Sequence, residues 1–144
     1  MGQARQEGLR LRDATAEDAT PLADMNEQLI CDEGHDNPLR GQQLVDRMRD
    51  WLGGDYRAAI GEIDGHPVLY ALWRTRYDGI YLRQFFVSRD YRRTGLGREA
   101  IATLKQRYWH GQTVNLDVLI HNERGHQFWR SVGFEDYTIR MRAR

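Results

Sequence analysis

Apolar positions in this chain change their period several times, and each change marks an element. Leu9-Arg-Leu-Arg-Asp13 alternates, which predicts a short strand. Thr15-Ala-Glu-Asp18 has capping-box spacing, and Ala19, Leu22, Met25, Leu29 and Ile30 then keep a helical period to about Cys31. Residues 32–38 are polar with Gly and Pro and predict a loop. Leu44, Val45, Met48 and Leu52 place a second helix over 39–52, closed by Gly53-Gly54. Three strands follow over 57–63, 67–77 and 80–87, joined by the tight turns Asp64-Gly65 and Asp78-Gly79. A basic, glycine-containing stretch leads into a helix over 98–109 that buries Ile101, Leu104 and Tyr108. A strand over 114–120, a helix over 123–131 capped by Asn122 and ended at Gly133, and a strand over 137–141 complete the order β-α-α-β-β-β-α-β-α-β. No linker or repeat divides the chain, so it reads as one mixed α/β domain over 9–144 after a loose tail, 1–8.

Composition narrows the partners. Lys plus Arg equals Asp plus Glu at 21 each, so no global basic field points to nucleic acid, although the end Arg140-Met-Arg-Ala-Arg144 is arginine-rich. No apolar run approaches the ~20 residues of a membrane span, and the start MGQARQEG has no hydrophobic signal region, so a cytoplasmic location is expected. The single cysteine, Cys31, excludes an internal disulfide and a Cys-based zinc cluster, and its neighbours Leu29 and Ile30 predict a buried free thiol. No metal site is expected.

Candidate chemistry concentrates between Ile80 and Gly97, where an apolar strand runs through a basic, glycine-containing turn into a helix. The first N–H groups of a helix have no intrahelical partner, and Arg92, Arg93 and Arg98 add positive charge at the same place, so the turn suits an anion such as a pyrophosphate. A nucleoside triphosphate loop would end in Gly-Lys-Ser or Gly-Lys-Thr, and neither occurs. Gly95-Leu-Gly97-Arg-Glu-Ala100 fits a dinucleotide fingerprint, with Asp117 about twenty residues on. That fingerprint leaves its strand almost at once, however, whereas residues 88–94 separate Val87 from Gly95. Three strands joined by hairpin-type turns also precede the loop, where the dinucleotide fold repeats β-α-β units.

A third reading fits the context. Arg92-Arg93-Thr94-Gly95-Leu96-Gly97, after a strand carrying Phe85-Phe86-Val87, resembles the R/Q-x-x-G-x-G/A motif of the GNAT N-acetyltransferase family. Leu116-Asp-Val-Leu-Ile-His-Asn122 and Glu123-Arg-Gly-His-Gln-Phe-Trp-Arg-Ser-Val-Gly-Phe134 resemble that family's second motif, and the element order is similar over nearly the whole chain. The resemblance implies a single-domain acyltransferase fold, with a mostly antiparallel sheet flanked by helices. It implies transfer of an acetyl group from acetyl-CoA to a primary amine of a small molecule or protein, by direct attack on the thioester, and it suggests a homodimer. It assigns the CoA pyrophosphate to Arg92, Arg93, Thr94, Gly95, Leu96, Gly97 and Arg98, and the pantetheine arm to the backbone of Phe85, Phe86 and Val87. Asn122 would contact that arm, cap its helix, or both.

At the catalytic positions the sequence departs from the family. Trp129 stands where many members have a tyrosine that can protonate the leaving thiolate, and an indole N–H cannot act as an acid near neutral pH. The strand over 80–87 lacks the carboxylate of many members; Tyr81, Arg83 and Gln84 are its polar-capable residues. Glu33, His35 and Tyr81 are the candidates for acid–base work, and Asp32 and Asp36 accompany the first two in a loop that borders the acceptor cleft in the family. The acidity of that loop suits a cationic amine. Arg83 would hold a substrate carboxylate or serve as a structural ion-pair partner. The alternative to an enzyme is a GNAT-like module that binds an acyl-CoA with little transfer.

Overall fold

Five strands form one sheet in the order β1-β2-β3-β4-β5 in the computed structural model, which describes residues 8–34 and 37–144. β1 (Arg10–Asp13), β2 (Arg57–Ile63), β3 (His66–Arg76) and β4 (Gly79–Val87) are antiparallel neighbours; β5 (Val114–Asn115) lies parallel to β4. Helices α1 (Ala19–Glu33) and α2 (Gln42–Gly53) cover one face, while α3 (Leu96–Leu104) and α4 (Glu123–Ser131) cover the other. The expected mixed, mostly antiparallel α/β architecture is therefore present. Among the described residues no helix is long and apolar enough to cross a membrane.

The entry to α1 forms as its spacing predicts. Thr15 N–H donates to Asp18 Oδ2 at 2.9 Å and Glu17 N–H donates to Thr15 Oγ1 at 3.3 Å, satisfying donors that a helix start leaves open. Leu22, Leu44, Met48, Ile60, Tyr70 and Leu72 are buried on the α1/α2 face. Trp73, Leu82, Ile101, Leu104 and Trp109 are buried on the other. Each fully buried apolar side chain of this size contributes about 1.5–3 kcal/mol relative to exposure, so both faces stabilise the sheet that carries β4.

Four expectations need correction. Helix α3 begins at Leu96, two residues early, and its last turn, Lys105–Trp109, is a π-helix. The wider turn brings Trp109 rather than Tyr108 onto the buried face, edge-on to Trp73 at 5.7 Å. Cys31 is exposed, because α1 continues to Glu33 and turns the residue after buried Ile30 away from the sheet. β5 holds two residues instead of seven, since the chain leaves the sheet after Asn115 to reach the end of α1. The strand expected over 137–141 does not join the sheet: Tyr137, Ile139 and Met141 are 90%, 79% and 89% exposed. The tail expected over 1–8 lies outside the described residues except for Gly8.

β4 is the strand that positions the site. It pairs with β3 along its whole length, but with β5 only through Ile80↔Val114 and Tyr81↔Asn115. From Leu82 to Val87 its outer edge carries no strand among the described residues.

Candidate functional site

Past Val87 the chain makes a short 3₁₀ turn, Arg89–Tyr91, and then the basic loop. Arg93 (φ 64°) and Gly95 (φ 86°) both adopt left-handed backbone, which turns successive N–H groups to one side before α3 starts. Thr94 Oγ1 donates to Tyr91 O at 2.5 Å and fixes the bend. The backbone N–H groups of residues 93 to 98 make no hydrogen bond among the described residues. Unpartnered donors at the head of a helix are a chemistry that suits an anion, and the helix dipole favours negative charge there by about 0.3–1 kcal/mol.

The two glycines of the loop have different physical roles. A β-carbon on Gly95 would meet nothing within 4 Å, so only its positive φ demands glycine. A β-carbon on Gly97 would stand 3.1 Å from the Phe128 ring and 3.5 Å from Val87. Gly97 therefore lets α3 pack on α4.

The arginines are partly engaged. Arg92 donates Nε to Val87 O at 2.8 Å and Nη2 to Asp32, lying 5.6 Å over Phe86. Arg89 Nη2 also reaches Asp32, at 2.9 Å. Burial alone would raise the Asp32 pKa, but hydrogen bonds from Arg92, Gln28 and Arg89 outweigh it and hold the carboxyl below its ordinary range. Arg98 donates to Ser131 O at 2.9 Å and ties α3 to the end of α4. Leu96 packs partly buried beneath the loop.

Across the open edge of β4 stands the head of α4. Asn122 Oδ1 accepts from Gly125 N–H at 3.0 Å, as an N-cap does, and Asn122 Nδ2 donates to Glu33 Oε2 at 3.4 Å. His121 Nε2 lies 3.2 Å from Glu33 O. The two sequence motifs thus converge on the last turn of α1, Arg92 through Asp32 and Asn122 through Glu33. A cleft of about 330 Å³ opens there, lined by Asp32, Glu33, His121, Asn122, Glu123 and Arg124.

The remaining site candidates spread over both faces of β4. Phe85 stacks on Phe128 at 6.0 Å and meets Trp129 edge-on at 5.5 Å, whereas Phe86 is buried against Tyr70 on the α1/α2 side. Trp129 also packs on Phe128 and Phe134, at 4.9 and 5.1 Å. Tyr81, the last β4 residue paired with β5, donates its hydroxyl to Asp117 Oδ2 at 2.8 Å. Burial and that carboxylate push its pKa up to about 12, so the phenol keeps its proton at neutral pH. His35 and Asp36 lie outside the described residues.

Sequence reasoning missed two features. Asp32 was expected beside the acceptor, yet it grips Arg89 and Arg92 of the donor-side loop. An aromatic and arginine cluster beside β4 was also missed, though Arg47 and Trp51, four apart on α2, already share one helical face.

Comparison with known proteins shows the family and the fold. The family described as "Acetyltransferase (GNAT) family" matches residues 22–134. No curated protein matches the chain in sequence. Among solved structures, an aminoglycoside N-acetyltransferase AAC(6')-Iy in complex with CoA superposes with a TM-score of 0.79 at 16% identity, covering 97% of this chain and 96% of that one. A possible acetyltransferase from Clostridium difficile 630 gives 0.78 at 16% identity, covering 96% and 97%. An acetyltransferase from Thermus thermophilus gives 0.77 at 19% identity, covering 92% and 90%. At these identities the likeness is one of fold.

Proposed function

Because the chain belongs to the GNAT acetyltransferase family, we propose that it transfers the acetyl group of acetyl-CoA to a primary amine, with residues 9–144 as the transferase domain. The observation that carries the proposal is the run of N–H groups from 93 to 98 that have no partner among the described residues, beside a β4 edge on which those residues place no strand. The amides of Arg93 to Arg98 hold the pyrophosphate, with Arg92 and Arg93 adding charge. The backbone of Phe85, Phe86 and Val87 pairs with the pantetheine arm as an added strand would, and Asn122 and Trp129 form the facing wall.

At the carbonyl carbon one bond forms and one breaks, and a proton moves from the amine. The neutral amine nitrogen attacks the thioester carbonyl carbon, the C–S bond breaks, and the sulfur leaves as CoA while the amine loses a proton. Alignment of amine and thioester between β4 and α1 supplies much of the acceleration; well-aligned sites gain about 7–11 kcal/mol in this way. The proton leaves the amine towards Glu33 or water. Tyr81 is the described side chain on β4 able to return one to the sulfur, since its phenol is protonated and Trp129 cannot serve. His35, beside Glu33 in sequence, is the third acid–base candidate.

Trp129 favours a second reading, an acyl-CoA-binding module with little transfer, because its ring is packed among Phe85, Phe128 and Phe134. One experiment separates the two: calorimetry with acetyl-CoA alongside CoA release over a panel of amines. Binding with turnover on at least one amine supports the transferase, and binding without turnover on any supports the module. Gly95→Glu, which places a carboxylate in the cradle where nothing crowds it, should abolish binding in either case.

A further inference from the structure

On the α1/α2 side of β4 the chain gathers three arginines that have no carboxylate partner among the described residues. The β3–β4 register passes from Leu72↔Gln84 to Trp73↔Leu82, so Arg83 is the extra residue of a β-bulge. The bulge lets Arg83 and Gln84 both reach the α1/α2 side: Gln84 Oε1 accepts from the buried Tyr70 hydroxyl at 2.9 Å, and Arg83 Nη1 donates to the Tyr56 hydroxyl at 3.2 Å. The Arg83 guanidinium also lies 4.9 Å from the centre of the Trp51 ring. Arg47 lies 4.4 Å over the same ring and donates Nη2 to Asn26 Oδ1 at 2.9 Å. Arg74 sits 5.8 Å over Tyr56.

Several arginines elsewhere have carboxylate partners. Arg12 pairs with Asp18 and Glu62, Arg89 and Arg92 with Asp32, and Arg130 with Asp136. Among the described residues, no carboxylate lies within ion-pair distance of Arg47, Arg74 or Arg83. The Nε atoms of Arg47 and Arg74 are buried and have no hydrogen-bond partner. Burial, and then the charge of Arg83, press the Arg47 pKa downward, which is what an unanswered pair of cations does. Aromatic faces offset part of this. Arg83 is exposed, so an anion from solution can reach the pair.

We propose that Arg83 and Arg47, over the Trp51 ring, bind a carboxylate of the acceptor, which makes the substrate an amine that also carries an acidic group. This rests on the transferase reading above. Arg83 is two residues from Phe85 on the same strand, about 7 Å along it at ~3.3 Å per residue, so a carboxylate held there leaves its amine within reach of the thioester. The planar guanidinium fork suits a carboxylate, and the hydrogen bond to Tyr56 fixes that fork while leaving its other donors to the ligand. The acceptor expected from the acidic loop was cationic. Asp32 is already engaged by two arginines, and the uncompensated charge of this face is positive.

The test titrates a panel of amino acids into the whole protein by calorimetry, each beside the same compound with its carboxylates amidated, together with a polyamine and an amino sugar. For at least one member, the acid should bind roughly tenfold or more tightly than its amide. Arg83→Gln should remove that difference, while Arg49→Gln, which deletes an exposed cation paired with Asp46, should leave it intact. Absence of any acid–amide difference, tighter binding of the polyamine or amino sugar, or a preference that survives Arg83→Gln each overturns the proposal. CoA release is followed on the same panel. Acid binding that depends on Arg83 with no release from any member keeps the carboxylate site and overturns the transferase reading instead.

Discussion

Asp32 on α1 grips Arg92, so a guanidinium at the start of the basic loop is already held by a carboxylate. Arg89 shares that carboxylate, and Arg92 is further anchored to Val87 O. A bound phosphate would compete with Asp32 for Arg92 and feel its negative charge.

Asp32→Asn should therefore tighten acetyl-CoA binding by a few-fold at low salt, because it removes the repelling charge and keeps a neutral acceptor of similar shape. The gain should fade at about 1 M salt, where the screening length falls to about 3 Å. Calorimetry at two salt concentrations checks this; unchanged or weaker binding at low salt would mean that Asp32 orients Arg92 for the ligand and does not compete with it.

The same carboxylate links stability to pH. Hydrogen bonds from Arg12 depress the Asp18 pKa against opposing burial, and Asp32 is depressed by Arg92, Gln28 and Arg89, which together outweigh its burial. A carboxyl with a folded pKa below its unfolded value of about 3.9 contributes stability that is complete above that value and is lost as pH falls through the folded one. Thermal melts from about pH 7 to about pH 2 should show the wild type losing more stability on acidification than the Asp18→Asn/Asp32→Asn double variant. Parallel losses would exclude these two groups as the acid-sensitive ones.

Gly97 and Phe128 should couple in a double-mutant cycle. Gly97→Ala forces a methyl to within 3.1 Å of the Phe128 ring and should cost about 1–3 kcal/mol, most of it recovered when Phe128→Leu is added. Gly95→Ala meets no neighbour and pays only for left-handed backbone, about 1–2 kcal/mol, which Phe128→Leu should not restore. Urea unfolding of the five variants, including Phe128→Leu alone, reads both interaction energies.

What the sequence made legible was local. Thr15 and Asp18 specify their capping box by spacing alone, and the basic turn with the first residues of α3 contains the whole run of donors, to Arg98, within eleven residues of Val87. Alternation over Tyr137, Ile139 and Met141 is also local, but it records only that a segment could be a strand; whether a sheet edge is free to receive it depends on distant chain. Tyr108 and Trp109 exchanged places because one π turn shifts the phase that a regular period assumes. Arg47, Trp51, Tyr56 and Arg83 form one cluster across a helix, a loop and a strand bulge, and no short window of sequence contains it.

Trp129→Tyr tests the vacant acid position. The indole is wedged edge-on among Phe85, Phe128 and Phe134, at 5.5, 4.9 and 5.1 Å, and a phenol ring keeps that arrangement with less volume. The substitution should cost on the order of 1 kcal/mol of stability. It also adds an O–H on the wall facing β4, where the proposed reaction releases a thiolate. If protonation of that sulfur limits turnover, kcat should rise while the affinity for acetyl-CoA stays unchanged, because the pyrophosphate cradle is untouched. A fall in kcat without a fall in affinity would show that the indole N–H itself orders the acyl donor, and Tyr81→Phe then distinguishes the groups: loss of its O–H, now spent on Asp117, should slow turnover only where Tyr81 is the donor.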